Sequence, residues 1–162
     1  MTRVLRAAVV AAGMIGAGLW FSPSAYSAGP QADFTGSLAG HESVKAGEAA
    51  LMVYAFQNVG DAAPVELVLI FKGNVSLRDD YVAAGKGLDC QVIRDPGMAF
   101  AINCKSVGDV PHRDQTLDYQ IAFSLLAPQP GTYEVFAILN PSGATSEFDR
   151  DNNSSKMTVT VN

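Results

Sequence analysis

From residue 30 onward the chain runs in short apolar segments, cut roughly every 10–15 positions by turn-forming residues. The clearest segment puts Leu117, Tyr119, Ile121, Phe123 and Leu125 on one side and Asp118, Gln120, Ala122 and Ser124 on the other. Such period-two alternation is that of a half-buried β-strand. Met157-Thr158-Val159-Thr160-Val161 repeats it near the C-terminus. Strands are expected over residues 32–39, 48–58, 64–72, 88–94, 98–105, 115–126, 132–140 and 156–161, and residues 28–32 as a short flexible lead. The breaks are Asn58-Val59-Gly60-Asp61, Lys72-Gly73-Asn74, Pro128-Gln129-Pro130-Gly131 and Asn140-Pro141-Ser142-Gly143. Each holds residues that supply turn backbone angles or side-chain-to-backbone bonds. No long window has helical periodicity with a cap. The pattern predicts an all-β fold, an Ig-like β-sandwich of about seven or eight antiparallel strands, in one domain over residues 29–162.

Tyr133, just after Pro130-Gly131, suits a tyrosine corner, in which a phenol bonds back to the preceding turn and pins it. Tyr54 and Tyr119 also lie in apolar runs and are expected in the core. Antibody-type features are missing. The single Trp, Trp20, lies outside the domain, and Cys90 and Cys104 are too close in sequence to join two sheets. Without a Trp in the domain, sugar binding by aromatic stacking has little support.

The first 28 residues read as a secretory signal peptide. Arg3 and Arg6 precede an apolar run from Ala7 to Phe21, Ser22-Pro23-Ser24 breaks it, and Ala25-Tyr26-Ser27 offers small residues for cleavage. The run is about 15 residues, short of the roughly 20 that span a membrane. The alternative is an uncleaved anchor. Cleavage removes two arginines and no acid, shifting the formal net charge of −5 to −7. An acidic surface repels phosphate backbones and anionic lipid, which disfavours nucleic-acid and peripheral membrane binding. Export also favours a disulfide between Cys90 and Cys104. Arg94-Asp95-Pro96-Gly97 can turn a hairpin that brings the two opposite each other.

Gly47-Glu48 precedes a strand ending in Gln57-Asn58-Val59-Gly60-Asp61-Ala62, Pro130-Gly131-Thr132-Tyr133 opens the next-to-last strand, and Glu147-Phe148-Asp149-Arg150-Asp151-Asn152-Asn153 precedes a Val-rich final one. That order resembles the CARDB-type (cell-adhesion-related) domains of bacteria and related conserved-repeat domains, over residues 33–161. In the latter a paired-Cys hairpin is common. The resemblance implies a bacterial, extracellular Ig-like module, often in tandem arrays or attached to larger envelope proteins. It says little about activity.

Glu147, Asp149, Asp151 and Asn153 place oxygen ligands at alternate positions, as calcium loops begin. The Gly and the distant bidentate Glu of such loops are absent, so the sequence favours no cofactor and an acidic turn over calcium. Arg78, Asp80 and Tyr81 lie in a segment that reads as a loop, where a Tyr among charges suits a protein contact, although the sequence favours a solvated connection. Phe148 and Arg150 offer the same on the 140–153 loop. His41 and His112 have no partner at metal-ligand spacing and are expected in solvent. No G-x-S-x-G elbow supports a serine hydrolase. Asn74-Val75-Ser76, Asn152-Asn153-Ser154 and Asn153-Ser154-Ser155 fit the glycosylation pattern, which is idle in a bacterial host. The sequence thus points to a non-catalytic module, secreted or at the cell envelope, binding a protein through its end loops. The alternative is a structural accessory protein with no discrete ligand.

Overall fold

A computed structural model describes residues 30–94, 100–113 and 119–162, with the side chains of residues 79–81 excepted. The expected signal segment, Pro96-Gly97 and Leu117 lie outside the described residues. Two sheets face each other. One has four strands in the order β1 (Phe34–Gly40), β3 (Ala49–Asn58), β8 (Gln120–Leu126), β5 (Ser76–Ala84). The other has six, in the order β2 (Ser43–Val44), β10 (Ser154–Val161), β9 (Gly131–Leu139), β4 (Glu66–Lys72), β7 (Phe100–Ser106), β6 (Leu88–Ile93). All pairings between these strands are antiparallel except β2 with β10. The expected sandwich is therefore present, with more strands than the sequence pattern announced.

Alternation builds the core as expected. Met52, Tyr54 and Phe56 of β3 point inward with Ile121, Phe123 and Leu125 of β8. They meet Leu67, Leu69 and Phe71 of β4 and Val135, Ala137 and Leu139 of β9. Phe71 joins the layers, its ring stacked 4.1 Å from Phe100 and edge-on to Phe123 at 5.3 Å. Gly36 makes the Tyr54 packing possible, since a Cβ there would lie 2.1 Å from the Tyr54 hydroxyl. Burial pushes that phenol up from its ordinary range.

Tyr133 forms the corner the sequence predicts, its hydroxyl donating to the Gln129 carbonyl at 2.8 Å. Gly73, at φ +104°, packs under the ring, where a Cβ would lie 2.7 Å from Cδ1. Tyr133→Phe is expected to cost about 1 kcal/mol of stability, the worth of one hydrogen bond, with no change of fold. Urea denaturation followed by far-UV circular dichroism measures it.

Two expectations need correction. The segment carrying Arg78, Asp80 and Tyr81 is not a loop: it lies within β5, at the edge of the four-stranded sheet. Leu77 pairs with Leu125 and Val82 already pairs with Phe123, so residues 78–81 form a bulge that breaks the register. A charged bulge on an edge strand discourages pairing with foreign strands. The second correction concerns the lead. Ala32 is buried and forms a parallel bridge with Glu147, and the Gln31 amide donates to Asp61 Oδ2 at 2.9 Å, so this end of the lead is docked.

Candidate functional site

One end of the sandwich gathers the loop of residues 140–153, the turn of residues 58–63, the docked lead and His112. The organising residue is Glu147, buried although it is a carboxylate. Its Oε1 accepts from the side-chain amides of Asn140 and Asn153, the latter at 2.8 Å. Its Oε2 accepts from the Phe34 backbone amide at 3.3 Å. Three N–H donors replace the water a buried carboxylate loses, which is what makes its burial tolerable.

Each partner is placed by its own local structure. Asn140 follows β9 in the left-handed region at φ 46°, a conformation Asn adopts more readily than most side chains. From there its amide spans the turn, donating to the Thr145 carbonyl at 2.8 Å while Oδ1 accepts from the Thr145 amide at 3.2 Å. Asn153 sits just before β10, and its carbonyl accepts from the Leu139 amide at 2.8 Å. Ala32 and Phe148 complete the frame: Ala32 N–H donates to the Ser146 carbonyl, and Phe148 N–H to the Ala32 carbonyl. The loop is thus held on both sides of Phe148, whose side chain is 80% exposed. Arg150 is exposed too, but Nη2 donates to the carbonyls of Gly143 and Thr145 at 3.3 and 3.4 Å, so it staples the loop.

The outer side of the loop is tied to β4. Ser142 Oγ donates to Glu66 Oε2 at 2.8 Å, and Thr145 Oγ1 to the Pro64 carbonyl at 2.7 Å. The Ser142 bond, helped by Lys105, holds the Glu66 carboxyl below the usual carboxylate range. On the neighbouring turn, fully buried Asn58 donates to the carbonyls of Asp61 and Val110 and accepts from the amides of Asp33 and Gly60. Asn58 and Asn140 were visible in the sequence only as turn residues; the structure makes both of them buried hubs.

Between the loop and this turn opens a cleft of about 450 Å³, with Asp33, Asp61, His112 and Phe148 among its lining. Its polar groups are mostly engaged. Asp33 Oδ1 accepts from the Asn152 amide at 2.8 Å, Asp61 Oδ2 from Gln31, and His112 Nδ1 lies 2.9 Å from the Gly60 carbonyl. His41 sits at the other end of the β1–β3 pair, its Nδ1 accepting from the Leu51 amide. Both histidines are exposed, as the sequence indicates, and they lie apart.

The alternate acidic positions are not gathered as a calcium loop would gather them. Glu147 and Asn153 turn inward to each other, Asp149 Oδ1 accepts from the Asp151 amide at 2.8 Å, and Asp151 is exposed. Among the described residues no group of three or more His, Cys, Asp or Glu is placed to hold a metal ion. Cys90 and Cys104, by contrast, are joined as a disulfide across directly opposed positions of β6 and β7. No described helix is long and apolar enough to cross a membrane.

No protein-family model matches the sequence, and no curated protein does. Solved structures do match in shape. The crystal structure of the CARDB domain of the PF1109 protein from Pyrococcus furiosus, in complex with di-metal ions, aligns at a TM-score of 0.57 and 16% identity, covering 81% of this chain and 94% of that one. Its solution structure aligns at 0.55 and 16%, covering 81% and 95%. A cohesin module from a Clostridium perfringens family 33 glycoside hydrolase aligns at 0.57 and 12%, covering 82% and 98%. At such identities shape is what is shared: this chain resembles the CARDB and cohesin modules in its Ig-like β-sandwich fold.

Proposed function

We propose that the protein is a non-catalytic binding module, secreted or held at the cell envelope, which takes a protein partner through the loops around Phe148. The observation that carries this is a large aromatic ring, 80% exposed, on a loop whose backbone is fixed on both sides. An exposed aromatic on a preorganised loop gives contact area at little entropic cost, which is how binding anchors are built. Groups lining the adjacent cleft bond mainly to the protein itself, which suits recognition better than proton transfer. The disulfide fits an oxidising compartment, and the two structural relatives lend support at the level of fold.

Phe148→Ser tests this reading. Phe148 is already in solvent, so the change is expected to move stability by no more than about 0.5 kcal/mol. Binding should fall about tenfold or more if Phe148 is the anchor. Pull-down from envelope and culture fluid, with the two proteins side by side and with and without calcium, reads the outcome. A partner retained equally by both would refute the loop as the contact surface, and calcium-dependent capture would return Asp149 and Asp151 to consideration as ligands.

A further inference from the structure

The two outer faces of the sandwich differ in charge. Outside the six-stranded sheet, Lys156 pairs with Glu134, Lys105 with Glu66, and the Lys72 and Lys156 ammonium groups lie 4.5 and 5.3 Å from the centre of the Phe136 ring. Lys156 also holds the Glu134 carboxyl below its ordinary range. In the four-stranded sheet, β1, β3 and β8 contain no Asp, Glu, Lys or Arg, and every charge of β5 lies in its bulge at the edge. The outward face of β1, β3 and β8 is therefore neutral and built mainly of small residues, with the charges of this sheet confined to the β5 edge. Its central row reads Ala39, Val53, Ala122 and Ala83 across the four strands.

That face also carries a knob and a hole. Leu51, 48% exposed, is the one large apolar side chain that stands out on it among the described residues. Two residues beyond Val53 in the other direction, a depression of about 280 Å³ opens where Ser37, Ala55 and Gln120 are neighbours. Leu51 and Ala55 thus lie about 7 Å to either side of the Val53 row, along the same strand. We propose that this face binds a second copy of the chain, through a two-fold axis running across the strands along the Ala39–Val53–Ala122–Ala83 row. That axis sets each Leu51 over the partner copy's depression at Ala55 and brings the two Val53 side chains together. A knob and a hole equidistant from one row are what an isologous contact requires.

Charge argues for the same occupant. The chain carries a formal net charge of −5, and two acidic copies approach at least cost over β1, β3 and β8, which carry no charge. The uncharged area, three strands by seven residues, gives a footprint on the order of 300 Å² per copy. That is below the roughly 800 Å² per partner of standard stable interfaces, so a reversible, concentration-dependent dimer is expected.

Sedimentation velocity of the exported protein at increasing concentration should show a monomer–dimer equilibrium. Ala122→Glu, which sets two carboxylates against each other on the axis, should leave monomer only, while Thr160→Glu, exposed on β10 of the other sheet, should dimerise like the parent. Leu51→Ala, a change in solvent that spares the fold, should weaken the dimer about tenfold. Under mild oxidation Val53→Cys should cross-link two chains, Leu51→Cys alone should not, and Leu51→Cys with Ala55→Cys should. A parent that stays monomeric at every concentration overturns the proposal, and leaves the face to residues before 30 or to a different protein. A dimer that persists in both Ala122→Glu and Leu51→Ala, or that Val53→Cys does not cross-link, overturns it equally. None of these readouts depends on Phe148 or on a partner protein.

Discussion

Replacing Glu147 by Ala is expected to lower the free energy of unfolding by about 3 kcal/mol, since it strands buried donors on three different segments. The Asn153 amide and the Phe34 N–H lose their acceptor, and the Asn140 amide keeps only the Thr145 carbonyl, inside the fold and away from solvent. The cavity left by the carboxyethyl group adds to that cost, because the loop around it is held by its own hydrogen bonds and cannot collapse freely. Glu147→Gln separates the contributions. One side-chain oxygen survives to accept, but the second site becomes an NH₂ group facing another donor, so about half the loss should remain. Equilibrium denaturation gives the two values, and limited proteolysis should show cleavage within residues 140–153 appearing in Glu147→Ala before the sandwich unfolds. A variant as stable as the parent would mean that the loop is held by β4, through Ser142 and Thr145, and not by Glu147.

That residue also shows where the sequence was legible and where it was not. Strands β1, β3, β4 and β6 to β10 follow from alternation and turn chemistry, because a strand with one buried face must repeat every second residue. Tyr133 was legible for a local reason: its acceptor, Gln129, is only four residues away. Glu147 was misleading because alternate acids fit both an ion-wrapping loop and an acidic turn, and the choice is made by groups far away in sequence. Phe34, which donates to it, is 113 residues distant. The only local trace was Asn140 just past one strand and Asn153 just before another. Both fit a turn whose side chains bond the backbone, but neither reveals that the bonds converge on one carboxylate.

Strand β5 escaped for a different physical reason. Arg78-Asp79-Asp80 interrupts the apolar period, and on a central strand those residues would break the sheet. At an edge they are tolerated because the bulge lifts residues 78–81 out of the ladder while Leu77 and Val82 still pair with β8. Periodicity sees the interruption and not the edge. β2 is only two residues long and makes its parallel contact with the far end of the chain, at Thr160 and Val161. A contact of that kind has no signature within any short window. The edge position of β5 bears on function too: Arg78, Asp80 and Tyr81 belong to a strand edge, whereas Phe148 and Arg150 stand on the loop end, so the two segments cannot be treated as one contact surface.

Removing the disulfide, by Cys90→Ala with Cys104→Ala, is expected to cost about 3 kcal/mol in the loop-entropy model for a closure of about 15 residues. The two cysteines are opposite each other in the register of β6 and β7, with Cα atoms 4.1 Å apart, so the bridge adds no new contact between sheets. Its effect is on an edge. β6 is the last strand of its sheet, and its outer residues Gln91, Val92 and Ile93 are exposed. Without the cross-link β7, its one sheet neighbour among the described residues, must hold it by backbone pairing alone. The loss should therefore be uneven: hydrogen exchange should speed up first at residues 88–93 and leave Ile121, Phe123 and Val135 in the centre of the sandwich nearly as protected as before, relative to global stability. Binding through Phe148 should survive wherever the protein remains folded, because Glu147 and its three donors lie on β1, on the 140–153 loop and at the ends of β9 and β10, none of them on the hairpin. Loss of binding in a folded, disulfide-free protein would place the contact surface at the β6 edge instead.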